Sequence, residues 1–281
     1  MHLALTRDFK MNNLLFVPDE IKKHLSNEPF EALMQMQGKA FRDVRGRKTI
    51  QVAVNNKSYF IKQHFGVGWS EIFKNILSFK KPILGAMTEV QAIKKLDEIG
   101  IKTTPLVAYG QQGCNPASMR SFVMTQDLGE IVTIEELCVN WPEYSASYKL
   151  AIMQAIAQCA SKLHSAGLVH RDFYLCHFVF KKQNLKIENT KIEHLHLIDL
   201  HRMLQNQKPN SRAVMKDIAG LYFSMRQIGL NEDSWALFKQ AYLPQNDAFW
   251  AQVDTRANVL LAKFNSARFQ NRLVKEKSAL N

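Results

Sequence analysis

From residue 40 onward, apolar and polar positions alternate in short runs separated by turn residues. Runs at 41–44, 49–54 and 57–63 predict three strands, with turns at Arg45-Gly46-Arg47 and Asn55-Asn56. An Asn pair tolerates the left-handed backbone that a two-residue hairpin demands. Two more strands are predicted at 104–109 and 121–125, joined by a loop of Gly, Asn and Pro. Between these groups Thr88 opens a helix, with Gln91 at the capping-box position and Gly100 as the stop. A short helix at 30–37 precedes the strands, and the rest of residues 1–37 has no usable periodicity. After residue 126 the apolar spacing turns helical. Thr133 and Glu136 cap a short helix. Leu150, Ile152, Met153, Ile156, Ala157, Ala160 and Leu163 form one face of a long helix at 148–165, which Gly167 ends. A hairpin at 178–180 and 194–198 follows, then a helix from about Ala213 and a stripe of Trp235, Leu237, Phe238 and Tyr242. The pattern ends in one basic amphipathic helix over 254–277. Strands followed by helices predict an α+β chain: residues 1–125 hold a small antiparallel sheet with one main helix, and residues 126–281 a larger, mostly helical part.

A chain of 281 residues with 46% hydrophobic positions has enough apolar side chains for a real core. The net charge of +12 changes the picture more. It calls for an anionic partner: nucleic acid, a phosphorylated ligand or an acidic membrane surface. No nucleic-acid recognition motif is present, so nucleic acid is set aside. Cys114, Cys138, Cys159 and Cys176 form no C-x-x-C pair and read as reduced thiols of a cytoplasmic protein. The opening Met1-His2-Leu3-Ala4-Leu5 meets Arg7 and Asp8 at once, unlike a signal peptide, and no apolar run reaches the ~20 residues of a spanning helix. Any membrane contact is therefore expected to be peripheral. The basic insertion at 66–85 interleaves Trp69, Phe73 and Phe79 with Lys74, Lys80 and Lys81. It reads either as an anionic-surface binder or as an amphipathic helix packed on its neighbours.

The candidate chemistry centres on His170-Arg171-Asp172-Phe173-Tyr174-Leu175-Cys176-His177 and Ile198-Asp199-Leu200. A long helix, a two-residue apolar link and His-Arg-Asp are what a kinase-like phosphotransferase uses to present its catalytic loop. Asp172 is the candidate catalytic base. Asp199, at the end of a later strand, is the candidate Mg²⁺ ligand. His177 stands where protein kinases use Asn, and reads as a second metal ligand or as a structural hydrogen-bonder. Lys62, near the end of its strand, is the candidate for the nucleotide α/β-phosphates, held by Glu89. The blander readings are a solvent-facing edge-strand lysine and a helix-N-terminal acid. Gly46 offers one glycine in place of a Gly-rich phosphate loop. Gln126 and Asp127 read as an interlobe hinge whose backbone meets adenine. Asp217, in the helix after Ala213, is a candidate clamp on the catalytic-loop backbone. Arg171 and Arg202 are candidate acceptor contacts.

These motifs, with Lys57-Ser58-Tyr59-Phe60-Ile61-Lys62, Pro82-Ile83-Leu84-Gly85-Ala86 and Gly220-Leu221-Tyr222-Phe223-Ser224, run in an order that resembles the lipopolysaccharide core heptose(I) kinase family. The resemblance covers about 29–230. It implies a protein-kinase-like two-lobed fold and ATP-dependent phosphorylation of O4 on the first heptose of the lipopolysaccharide inner core. It also implies a lipid A–core acceptor, Mg²⁺, and work at the cytoplasmic face of the inner membrane. Phe173 and Leu175 stand where the family pattern has Cys and Ile. The competing readings are a kinase for Kdo, a protein or a small molecule, and a non-catalytic membrane-bound pseudokinase.

Overall fold

The structure is a computed structural model that describes residues 13–44, 46–77, 84–185 and 192–278. Of the residues singled out above, Met1 to Leu5, Arg7, Asp8, Arg45, Phe79, Lys80, Lys81, Pro82 and Ile83 lie outside the described residues. The chain divides into two compact units: residues 1–94 with 104–129, and residues 95–103 with 130–281.

The first unit is built on a six-stranded antiparallel sheet. Its elements are β1 (Asn13–Phe16), α1 (Asp19–Lys22), α2 (Pro29–Gln35), β2 (Lys39–Val44), β3 (Arg47–Val54), β4 (Lys57–His64), α3 (Gly68–Leu77), α4 (Met87–Glu98), β5 (Leu106–Gln112) and β6 (Arg120–Gln126). The sheet order is β1-β5-β6-β4-β3-β2. Val54 pairs with Lys57, leaving Asn55 and Asn56 in the turn at φ 50° and 58°, the left-handed conformation expected of them. β4 is flanked by β3 and β6 and is therefore central, which removes the edge-strand reading of Lys62. Ile50, Val52, Tyr59, Ile61, Phe122 and Met124 point from the sheet into a core closed by Phe30 and Leu33 of α2. β1 was not expected. It has one half-buried and three exposed residues, so no alternation marks it. The main helix starts one residue before Thr88, at Met87, and the amide of Ala86 donates to the Ser121 hydroxyl (2.9 Å).

The second unit takes over at Lys95, inside α4. It adds β7 (Ile131–Thr133), α5 (Ile134–Leu137), α6 (Ala146–Ser165), β8 (Phe178–Lys181), β9 (His196–Leu197), α7 (Arg212–Gln227), α8 (Glu232–Ala241), α9 (Asp247–Asn265) and α10 (Ala267–Ser278). The Thr133–Glu136 capping box forms as read. Ser145 caps α6 through the amide of Tyr148, so that helix begins two residues before the predicted 148. α6 packs on α8, and α7 on α9. Tyr222, Trp235, Phe238 and Tyr242 stack in sequence with centroids 4.2–5.5 Å apart. Each such buried ring stabilises by roughly 1.5–3 kcal/mol. The tail read as one helix is two. Ser266 is extended at φ −67°, ψ 138°, and its hydroxyl donates to the Lys263 carbonyl (2.6 Å), turning the chain between α9 and α10.

Candidate active site

In the first unit Lys62 Nζ lies 2.7 Å from Glu89 Oε1. The lysine side chain is 29% exposed and the carboxylate 6%. Glu89 therefore holds the ammonium from the buried side. The helix that carries Glu89 is set by Gly85 and Ala86. A Cβ on Gly85 would lie 2.6 Å from Ser121 Oγ, so only glycine allows this approach to β6. That contact is the physical content of the Leu84-Gly85-Ala86 motif.

In the second unit the His-Arg-Asp loop is tied down by α7. Asp217, buried, accepts from the amides of His170 (2.6 Å) and Arg171 (2.8 Å) with its two oxygens. Arg171 sits at φ 75°, a conformation that bond helps to hold. One turn on, a Cβ at Gly220 would meet Tyr174 Cε1 at 3.3 Å, and Ser224 Oγ accepts from the amide of Leu175 (3.1 Å). The Gly220-to-Ser224 motif is thus a seat for the loop. His170 is fully enclosed. Its Nε2–H donates to the Ile198 carbonyl (2.9 Å), its Nδ1 has no hydrogen-bond partner among the described residues, and burial holds its pKa below the ordinary value. It is a neutral strut that joins the loop to the strand leading into Asp199.

Arg202 donates from Nη1 to Asp172 Oδ1 at 2.6 Å. The arginine proposed for the acceptor is therefore engaged with the candidate base. Burial, with repulsion from the neighbouring Arg202, depresses the pKa of Arg171. His177 donates from Nδ1 to the backbone carbonyl of Asp172 (2.6 Å). In the neutral ring this leaves a lone pair on Nε2, which faces Asp199 Oδ2 at 3.6 Å. That distance is too long for a hydrogen bond. A cation bound there could be held by the Asp199 carboxylate. Asp199 Oδ1 accepts from His201 Nδ1 (2.7 Å), a residue the sequence reading did not single out. Asp199 has left-handed backbone, φ 64°, ψ 53°. Among the described residues no three His, Cys, Asp or Glu groups cluster as a metal cage. Mg²⁺ takes oxygen ligands, so the Asp199 carboxylate is the group that could hold it directly, and the His177 imidazole could reach it through a bound water.

The other predicted residues have mainly structural partners. A Cβ at Gly46, φ 76°, would come within 2.4 Å of the Gly66 carbonyl, and the Gly46 carbonyl accepts from Phe65 (2.8 Å). The amides of Gln126 and Asp127 donate to the carbonyls of Pro105 (2.9 Å) and Ser58 (3.1 Å). Neither amide is thus a donor held ready for adenine. Burial pulls the Asp127 carboxyl upward, but bonds from the Gly129 amide, Ser58 and Gln51 together hold it below the usual range. Ser58, Gln51, Ser121, Ser224 and His201 had no separate signal in the chain, because each acts through a partner brought in by folding.

An Asp-bearing loop clamped by a buried Asp, and a Lys–Glu pair between a central strand and the main helix, define the class: a protein-kinase-like phosphotransferase. The lipopolysaccharide kinase (Kdo/WaaP) family model matches residues 31–242. The lipopolysaccharide core heptose(I) kinase WaaP of Pseudomonas aeruginosa is 40% identical over 230 residues, covering 80% of this chain and 85% of that protein. The Escherichia coli protein of the same name is 35% identical over 246 residues, covering 82% and 90%. A solved structure of WaaP in complex with acyl carrier protein superposes with a TM-score of 0.74 at 31% identity, covering 88% of this chain and 99% of that one. This chain belongs to the lipopolysaccharide kinase (Kdo/WaaP) family.

Proposed function

We propose that this chain transfers the γ-phosphate of ATP to O4 of the first heptose in the lipopolysaccharide inner core. The observation that carries the reading is the Asp172 carboxylate, fixed at Oδ1 by Arg202 on a loop clamped by Asp217. It stands in a chain whose curated relatives are named heptose(I) kinases.

In this mechanism Asp172 accepts the proton of the attacking heptose hydroxyl. Arg202 orients the carboxylate so that its second oxygen receives that proton. Lys62, steadied by Glu89, binds the α- and β-phosphates, and Arg171 faces acidic groups of the acceptor. Asp199, with His177, would hold a magnesium ion, which supplies charge neutralisation at the phosphates. Positioning and charge account for most of the acceleration of phosphoryl transfer. The acceptor is a lipid A–core molecule, polyanionic through its Kdo and lipid A groups, which suits a chain of net charge +12. No helix among the described residues is long and apolar enough to cross a membrane. Peripheral attachment to the inner membrane is supported by α3, where Trp69, Phe73 and Leu77 recur at helical spacing and are 51%, 57% and 80% exposed. An acyl carrier protein partner, as in the solved relative, belongs to the same proposal.

Incubation of the purified protein with ATP, Mg²⁺ and deacylated core oligosaccharide tests this. Phosphorus NMR of the product should place one new phosphate on O4 of the first heptose, and Asp172→Ala should place none. Phosphate on Kdo, on protein or on another sugar position would replace the proposed acceptor.

A further inference from the structure

Basic side chains gather beside the catalytic loop on the helix that holds it. Asp217 of α7 accepts from the amides of His170 and Arg171. The residue before it is Lys216, exposed, and one turn earlier stands Arg212, also exposed. α9 packs on α7 and carries the half-buried Arg256, which faces Lys216 and Tyr174 of the loop. Arg171 faces Lys216 as well. All of these residues lie in the second unit with Asp172.

Four cations brought together from the loop, α7 and α9 repel one another. The effect shows at Lys216. Partial burial, then the charges of Arg212, Arg256 and Arg171, hold its pKa below the ordinary lysine value. No hydrogen bond or ion pair to a described residue engages the side chains of Arg212, Lys216 or Arg256. The carboxylates that face Arg171, those of Asp172 and Asp217, are engaged by Arg202 and by the loop amides. The first turn of α7 has no acidic residue, so Arg212 there also opposes the helix dipole. This gathering of charge costs the free protein stability, and a bound anion relieves it.

From this placement we infer that Arg171, Arg212, Lys216 and Arg256 form a subsite for an oxyanion of the acceptor, a carboxylate or a phosphate carried close to the hydroxyl that Asp172 deprotonates. The inference rests on the glycolipid-kinase reading above, and extends it from Arg171 alone to a site built from three segments. Arginine forks take either oxyanion through paired hydrogen bonds, and lysine takes it as a point charge. Arg171 adjoins Asp172 in the chain, so holding the anion there fixes which hydroxyl meets the base. Arg212, Lys216 and Arg256 position the acceptor and take no part in proton or phosphoryl transfer.

The test uses the full chain and deacylated core oligosaccharide in four forms: intact, with its carboxylates reduced to alcohols, with its phosphates removed, and with both changes. Calorimetric binding without ATP compares the wild type with Arg212→Gln/Lys216→Gln, both exposed positions, and with Arg212→Lys/Lys216→Arg, which keeps the charge. The Gln variant should bind the intact oligosaccharide roughly tenfold more weakly, and the charge-keeping variant close to wild type. The difference between wild type and the Gln variant should vanish once both groups are removed. The single treatment that shrinks it names the oxyanion, carboxyl reduction a sugar acid and phosphatase a phosphate. In turnover, KM for the intact acceptor should rise by a similar factor while KM for ATP holds. Equal binding of the intact oligosaccharide by wild type and the Gln variant overturns the proposal. A tenfold loss that persists on the doubly treated oligosaccharide also overturns it. The binding needs no turnover, so a wild type that binds with this charge dependence but transfers no phosphate sinks the enzymatic reading alone. Phosphate transfer to heptose with the same acceptor KM in wild type and the Gln variant sinks the subsite alone.

Discussion

Replacing Asp217 by Asn separates the clamp on the catalytic loop from its surroundings. Shape and volume are kept, but one of the two oxygens that accept from His170 and Arg171 becomes an NH₂ group. One charge-assisted bond is lost outright, and a donor then faces a buried donor. The other bond loses its ionic character. Bonds to charged groups contribute about 1.5–3 kcal/mol each, so the net loss is roughly 2–4 kcal/mol after allowing for the desolvation no longer suffered by a buried carboxylate. With the NH₂ group turned toward Arg171, that residue, at φ 75°, loses the bond that helps to hold a conformation costing about 1–2 kcal/mol. Three of the four tryptophans, Trp141, Trp235 and Trp250, lie in the second unit, so fluorescence-detected urea unfolding reports on it. With an m-value of about 2 kcal/mol/M, the midpoint should fall by roughly 1–2 M. In parallel, kcat should fall more than KM for ATP rises, since the loop and not the Lys62 pair is disturbed. A variant that unfolds within ~0.3 M of wild type with its kcat intact would show that the clamp does not set the loop, and the reasoning would fail.

Asp172→Ala should remove phosphate transfer by at least ~10²-fold while leaving ATP affinity, measured by equilibrium dialysis, near wild type. Lys62→Ala strands the buried Glu89 carboxylate; it should raise KM for ATP and lower the melting temperature, and Lys62→Ala/Glu89→Gln should recover stability without recovering activity. His170 is held neutral, because burial keeps its pKa below the ordinary histidine value of about 6.5. The unfolded chain therefore takes up a proton that the folded chain refuses, and stability should fall as pH drops below about 6.5, by up to ~1.4 kcal/mol per pH unit. Urea midpoints measured from pH 7.5 to 5.5 check the sign. Burial pushes the Cys176 thiol to about 11 and those of Cys138 and Cys159 to about 12, whereas Cys114 is exposed. Brief iodoacetamide treatment at pH 8, read by peptide mass spectrometry, should mark Cys114 first.

Much of the first unit was legible because its signals are local. Asn55-Asn56 dictates a turn, the alternation from Lys57 to Gln63 dictates a strand, and Lys62 lands on that strand by counting. Asp172, His177 and Asp199 were legible for a similar reason, since a loop and a hairpin hold them at set intervals. The contacts made across the fold were not. Arg202 reaches Asp172 from thirty residues away, and Ser121 meets Ala86 from thirty-five. Side chains of those types are common on any surface, and only folding selects the partner. β1 lacked a signal because its pairing with β5 rests on backbone bonds while Leu15 and Phe16 remain exposed. The break after α9 lacked one because Asn265-Ser266 contains neither Gly nor Pro, and the turn depends on a hydroxyl bonding back to Lys263.

The left-handed backbone of Asp199 sets stability against chemistry at a single position. Glycine would sit there with less strain. It would also take away the carboxylate between His177 and His201. A screen of this protein for thermal tolerance alone would thus favour a sturdier chain that had lost its site, and position 199 is one to keep fixed in any such library.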